Sequence, residues 1–255
     1  MTIEKNEVHV WEINLGSDLS KVEKYLPILS DEEKKKASAF RFSDDRERYI
    51  ISHAVLRLLL SKYSGEKPEE IVFYNNNYGK PYIMLNPDLP KIFFNISHSH
   101  KMAVIAISNG YEIGIDIEYL LRKINFEDIA RRFFSNIENK KLNSLSGNLR
   151  KEAFFRCWTR KEAYLKAKGV GISGSFKSFE VSIFPEENPE IIAIDGQHSD
   201  EDNWSLFDII HIHNYIGAIA VKGNCQTVKF FKFQFTQPEE CNLCVTRCTP
   251  CIRVT

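Results

Sequence analysis

Glu112-Ile113-Gly114-Ile115-Asp116-Ile117-Glu118-Tyr119-Leu120 alternates apolar and polar residues, the pattern of a β-strand with one buried face. Ile115 and Ile117 point into a core, and Asp116 and Glu118 share the opposite side. Two oxygen donors that converge in this way suit a hard divalent cation, magnesium above all, which takes a few carboxylates and completes its shell with water and substrate phosphate. The same pair is also compatible with a plain solvated strand face.

Before this strand, residues 8–15 alternate as a first strand. Ser30-Asp31-Glu32-Glu33 then offers a cap and acids for a helix start, and apolar residues at helical spacing run from Asp44 to Tyr63 until Gly65 and Pro68 break them. Short strands follow at 71–75 and 81–85 around the turn residues Asn75 to Gly79, then a strand pair at 93–99 and 102–108, and the turn Asn109-Gly110. After it, residues 126–134 and 150–168 read as helices and the remainder as strands. The order strand, helix, strands occurs twice. It predicts an α+β fold, a pseudo-twofold pair of similar α+β subdomains with boundaries 1–112 and 113–235, and a Cys-rich flexible tail over 236–255.

The chain has 255 residues, 43% of them apolar, enough for a substantial core. Lys+Arg and Asp+Glu both number 34, so no global basic field recruits nucleic acid or an anionic membrane, and a polyanionic ligand must be held locally. The first residues carry acids among their apolar positions, unlike a signal peptide, and no stretch reaches transmembrane length; a cytoplasmic protein is expected. Four of six cysteines, Cys241, Cys244, Cys248 and Cys251, crowd the final fifteen residues. Their central spacer of three residues is shorter than a zinc ribbon loop, so the expectation is a weakly structured tail rather than a metal site.

Three further segments carry chemistry-bearing residues. In the helical stretch Cys157 to Ala167, Trp158, Glu162 and Lys166 lie on one face at a spacing of four. Glu162, turned toward Asp116 and Glu118, would make a third carboxylate, with Lys166 left to neutralise phosphate. Phe94-Asn95-Ile96-Ser97-His98-Ser99-His100 sets hydroxyl and imidazole groups at a strand end, and Tyr78-Gly79-Lys80-Pro81 forms a turn. Each alone has an ordinary structural explanation.

Together and in this order, YGKP, FNISHS, GIDIE, ARRFFS and CWTRKEAYLKAKGVGI closely resemble the signature of the Sfp-type 4'-phosphopantetheinyl transferases, over residues 8 to 222. The resemblance implies a two-halved monomer that moves the phosphopantetheine arm of coenzyme A onto a serine of apo acyl carrier or peptidyl carrier proteins. It implies Asp116, Glu118 and Glu162 as ligands of magnesium, with manganese able to replace it, and Lys166 as the lysine that contacts phosphate near the reaction centre. By the same likeness Gly79, Lys80 and Pro81 lie along the adenine of coenzyme A, Ser97 and His98 hold its phosphates, and Lys36 and Arg48 grip its 3'-phosphate. Glu33 departs from the pattern, standing where a lysine is expected, with Lys34 and Lys35 beside it. Asp128 occupies a place where relatives carry a glutamate near the metal; it, or water on the metal, is the candidate for deprotonating the carrier serine. Basic and apolar residues between 120 and 150 suit docking of an acidic carrier. A non-catalytic coenzyme A-binding module and a magnesium phosphohydrolase are the rival readings.

Overall fold

The computed structural model describes residues 1–16, 22–84, 91–171, 176–198, 204–235 and 246–253, the last as backbone alone. The first half comprises β1 (Glu7–Asn14), a 3-10 helix (Val22–Ile28), α1 (Asp31–Ser38), α2 (Ser43–Ser64), a hairpin of β2 (Phe73–Asn75) and β3 (Pro81–Ile83), then β4 (Ile92–Ser99) and β5 (Met102–Asn109). The second comprises β6 (Ile113–Tyr119), α3 (Phe126–Phe133), α4 (Asn136–Asn143), α5 (Gly147–Lys168), β7 (Phe179–Val181), β8 (Ile191–Ile194), β9 (Gln197–His198), β10 (Trp204–Ile209) and β11 (Tyr215–Lys222). Sheet order repeats with it. In the first half β1, β5 and β4 are neighbours in that order, in the second β6, β11 and β10, all antiparallel.

Side-chain alternation sorts these strands into layers. Val8 and Val10 of β1 and Val104 and Ala106 of β5 meet Ile113, Ile115 and Ile117 of β6 and Ile219 and Val221 of β11 in a core between the two sheets. Trp11, Ile13 and Leu15 face α2 instead, and Ile216, Ala218 and Ala220 face α5. The face of β6 that carries Asp116 is therefore covered by α5 rather than open to water.

Two long helices of 22 residues each anchor the halves, α2 ending at Gly65 and α5 at Gly169, both left-handed. Eight residues before each glycine lies a buried cation paired with the capping-box glutamate of a short helix. Arg57 donates to Glu33 Oε2 (2.7 Å) and to the carbonyls of Pro68 (2.9 Å) and Ile71 (2.8 Å), while Ser30 and Glu33 cap α1 reciprocally. Lys161 pairs with Glu138 Oε2 (2.9 Å) and donates to the carbonyls of Phe176 and Phe179 (both 2.6 Å), while Ser135 and Glu138 cap α4. Glu33, at the position where a lysine is expected, is the first-half counterpart of Glu138 and belongs to the scaffold.

Some expectations shift. The helix expected at 126–134 ends at Phe133, because Ser135 starts α4, which the sequence pattern did not announce. The helix expected from residue 150 begins at Gly147. β12 (Thr227–Lys232), inside the expected second subdomain 113–235, joins the first sheet, parallel to β1 from Glu7↔Thr227 to Glu12↔Lys232. There Val228 and Phe230 enter the inter-sheet core and Phe231 stacks on Trp11 at 4.8 Å. Within the expected tail, β13 (Thr246–Arg253) pairs antiparallel with β12. Cys241 and Cys244 lie outside the described residues, and Cys248 and Cys251 are described as backbone only. Among the described residues no helix is long and apolar enough to cross a membrane.

Gly114 lets α5 approach β6. A Cβ there would lie 2.0 Å from the carbonyl oxygen of Ala163 and 2.4 Å from the backbone nitrogen of Ala167. Both obstacles are backbone and cannot swing aside, so Gly114→Ala should cost at least the ~1–3 kcal/mol of an overpacked core. A lower midpoint in urea, with activity lost in the fraction still folded, is the expected result; unchanged stability and rate would contradict this contact.

Glu33 supplies an acid-sensitive brace. Its backbone and His53 hydrogen bonds and the charge of Arg57 outweigh burial and hold its carboxyl at about 2, below the ordinary 4.5. The stabilisation is complete above pH 4.5 and is lost as pH falls toward 2. Removing one partner of so buried a pair costs about 3–5 kcal/mol, so Glu33→Gln should be much less stable than wild type at pH 7 and approach it as pH drops below 4. Parallel stability curves across that window would show that Glu33 does not carry this linkage.

Candidate active site

The seam between the halves is made by side chains. β4 and β6 are edge strands of their sheets, and alternate residues of β4 reach across to successive positions along β6. Asn95 Oδ1 accepts from the Ile115 amide (2.9 Å), Ser97 Oγ donates to Asp116 Oδ1 (2.9 Å), and Ser99 Oγ donates to Glu118 Oε2 (2.8 Å) while accepting from the Tyr119 amide (3.1 Å). The period of two in FNISHS is thus the same period that spaces Asp116 and Glu118.

α5 closes over this row. Lys166 Nζ donates to Asp116 Oδ1 (2.6 Å), Ser97 Oγ (3.1 Å) and the Ile115 carbonyl (3.3 Å). Glu162, one turn earlier, lies within electrostatic reach of Asp116, Glu118 and Lys166. Trp158, a further turn back, packs on Phe176 at 5.3 Å and against Phe133 at 5.7 Å, fixing that face of the helix in the core.

Of the three acids Asp116 is paired with Lys166 and Glu118 with Arg122 (3.4 Å), and the electrostatics register the negative charge that remains. Burial, then the negative charges of Asp116 and Glu118, push Glu162 up to about 7 against the opposing pull of Lys166. Glu118 is raised by burial and by Asp116, opposed by Ser99, Arg122 and Lys166. Asp116 Oδ2 is buried with no hydrogen-bond partner among the described residues. An acceptor left in that state wants a cation. Among the described residues no three Asp, Glu, His or Cys side chains are grouped so that they could hold a metal ion as they stand. An open set of carboxylates is what magnesium uses, since waters and substrate phosphates fill the rest of its octahedron.

A cavity of about 550 Å³ opens beside Glu118, walled by Arg48 and Tyr49 of α2, His98 to His100 at the end of β4, and Tyr119 and Arg122 past the acids. Both halves contribute to it. His98 lines this wall, and desolvation first, then the charges of Lys166, His53 and Arg48, hold its imidazole below the usual value. Arg48 is paired with Asp44 (3.4 Å) and Asp45 (2.9 Å), and Lys36 lies over the Tyr49 ring at 5.4 Å, near the same wall.

The other expected residues lie apart. Lys80 turns inward, donating to the carbonyls of Ile113 (3.0 Å) and Ala167 (2.8 Å), and burial lowers it to about 8. With Pro81 it lines a second cavity, of about 630 Å³, toward the start of β4; Gly79, at φ 85°, shapes the turn. Asp128 is half-exposed near the start of α3, accepting from Asn125 Nδ2 (2.5 Å) and paired with Arg131, and it lines neither cavity. Cys157 and Cys225 are buried free thiols with raised pKa values, Cys225 at about 11, unsuited to nucleophilic work.

Sequence reasoning passed over Ser99 as a brace for Glu118, and the aromatic wall in which His100 stacks on Tyr119 at 4.4 Å and Tyr119 meets Tyr215. Only Ser99 had a signal, its even spacing from Ser97.

Two family models match the chain: the 4'-phosphopantetheinyl transferase superfamily over residues 112–220, and the 4'-phosphopantetheinyl transferase N-terminal domain over 17–110. The 4'-phosphopantetheinyl transferase HetI of Nostoc sp. is 33% identical over 91% of this chain and 95% of its own. Sfp of Bacillus subtilis is 32% identical over 69% and 76%. A solved holo-(acyl-carrier-protein) synthase from Bacillus anthracis, in complex with CoA (3',5'-ADP), aligns at TM-score 0.35 and 28% identity over 44% of this chain and 94% of that one. With a relative matched almost from end to end, and both halves covered by their own family models, the chain belongs to the Sfp-type 4'-phosphopantetheinyl transferase family.

Proposed function

We propose that this protein transfers the 4'-phosphopantetheine group of coenzyme A to a serine of apo acyl carrier or peptidyl carrier proteins, in a magnesium-dependent reaction that releases 3',5'-ADP. The observation that carries the reading is that Asp116, Glu118 and Glu162 lie within one another's electrostatic reach, with a buried carboxylate oxygen of Asp116 left unpartnered among the described residues. These three acids are the residues that would hold the cation. Magnesium, or manganese in its place, would supply charge neutralisation and polarisation of a phosphate oxygen.

In the reaction the serine hydroxyl attacks the β-phosphorus, the bond to the 3',5'-ADP oxygen breaks, and the hydroxyl proton passes to solvent. No covalent enzyme intermediate is needed, and positioning with charge stabilisation does most of the work. Lys166, braced by Ser97, sits where negative charge on phosphate would gather, and Arg48 and His98 line the neighbouring wall. Asp128 serves the start of α3, and the reading gives it no proton to move. Lys80 contributes by holding its turn against α5 rather than by offering its ammonium.

Both halves of one chain wall the cavity, which supports a monomer as the working form. Coenzyme A as substrate and two buried free thiols support a cytoplasmic enzyme. Exposed Leu121, Ile137 and Leu149, with Arg131 and Arg132 in the same stretch of chain, supply apolar and basic side chains that an acidic carrier would use.

Formation of 3',5'-ADP from coenzyme A only with both apo-carrier and magnesium tests the assignment; release without carrier would make the protein a hydrolase instead. Asp116→Ala should lower turnover by about 10²- to 10³-fold or more, with circular dichroism unchanged, and full activity would end the metal assignment. Charge reversal at Arg131 or Arg132 should raise KM for the carrier and leave KM for coenzyme A near wild type. Equal changes in both constants would remove the docking surface from this helix.

A further inference from the structure

The first-half and second-half ion-pair knots are built alike, but only one of them adjoins the acids. Lys161 is fully buried, touches neither cavity, and precedes Glu162 in the chain. Its ammonium is bound on three sides: Glu138 at the start of α4 and the carbonyls of Phe176 and Phe179, which lead into β7. Glu138 in turn accepts from the Val181 amide (3.0 Å), so α4, α5 and β7 are tied at one point.

Gly114 sets how near α5 lies to β6, but a close contact of two backbones still allows the helix to turn about its axis. Successive helical residues are about 100° apart, so a side chain pinned on one flank fixes the azimuth of the next. We propose that Lys161 is a positioning residue for the reaction centre: its three-way anchorage sets the rotation of α5 and thereby the aim of Glu162 and Lys166 at Asp116 and Glu118. This rests on the metal reading given above. It assigns Lys161 no contact with substrate or cation.

The molecule supplies its own control. Arg57 makes the same knot in α2, where the next residue is Leu58 and the strand positions facing the helix are Trp11 and Ile13 rather than acids. Losing either knot should weaken the fold, but only the second should spoil the site.

The experiment measures Mn²⁺ binding by electron paramagnetic resonance without coenzyme A, together with thermal stability, for wild type, Asp116→Asn, Lys161→Met, Glu138→Gln and Arg57→Met. Supporting residues around metal ligands typically change affinity by about 10- to 100-fold. Lys161→Met and Glu138→Gln should therefore weaken Mn²⁺ by about 10-fold or more, while Arg57→Met, destabilised to a similar degree, stays close to wild type. Glu138→Gln, a near-isosteric change, carries the comparison if Lys161→Met does not fold. Wild-type affinity in both second-half variants, or an equal loss in Arg57→Met, overturns the proposal. Wild-type protein that binds no Mn²⁺, or binds it unchanged after Asp116→Asn, overturns the metal reading itself and this inference with it. A site abolished by Asp116→Asn yet intact in both second-half knot variants overturns this inference alone.

Discussion

The approach of α5 to β6 across Gly114 is the constraint on which the reaction centre depends. A strand and a helix normally stand apart by the depth of their side chains; here the missing Cβ lets the Ala163 carbonyl press onto the strand backbone. Lys166 can then reach Asp116 directly, and Glu162 comes within the field of both strand acids. With an ordinary side chain at 114 the helix would ride higher and the same residues would face water in separate places. From the other side, Ser97 and Ser99 hold the two carboxylates by hydroxyl groups, so the acids are gripped between two elements that belong to different halves.

Such a concentration of negative charge is costly until something positive arrives. The raised values of Glu118 and Glu162 and the solitary Oδ2 of Asp116 are consequences of one arrangement, in which the fold gathers acids faster than it neutralises them. The knots that fix the helices show the opposite economy. There each buried cation meets a glutamate and two carbonyls, and little is left unpaired. The contrast separates scaffold from chemistry without reference to any relative.

Much of this was legible in the sequence where the signal is local and periodic. Asp116 and Glu118 at a spacing of two, and Trp158, Glu162 and Lys166 at a spacing of four, name their shared faces directly. The duplicated order of elements was visible too. What escaped were relations whose partners lie far along the chain. Glu33 looks like a lost lysine until Arg57, 24 residues on, is seen beside it. The ammonium of Lys80 finds its partners on carbonyls at 113 and 167, which nothing in its turn announces. Parallel pairing of β12 with β1 joins residues 220 positions apart and leaves no local mark at all. Asp128 lies in the first turn of α3 with its amide capped by Asn125, a local role that sequence position alone does not tell from a catalytic one.

The packing of β1 has a further consequence. Its helix-facing positions hold Trp11 and Ile13, fully buried, where β6 holds Asp116 and Glu118. A twofold scaffold could in principle house two centres, one under each long helix, but the first is filled solid with hydrocarbon and indole. That plug leaves the acids of β6 as the centre under the second long helix alone, and the first half serves it from the side, through the hydroxyls of Ser97 and Ser99.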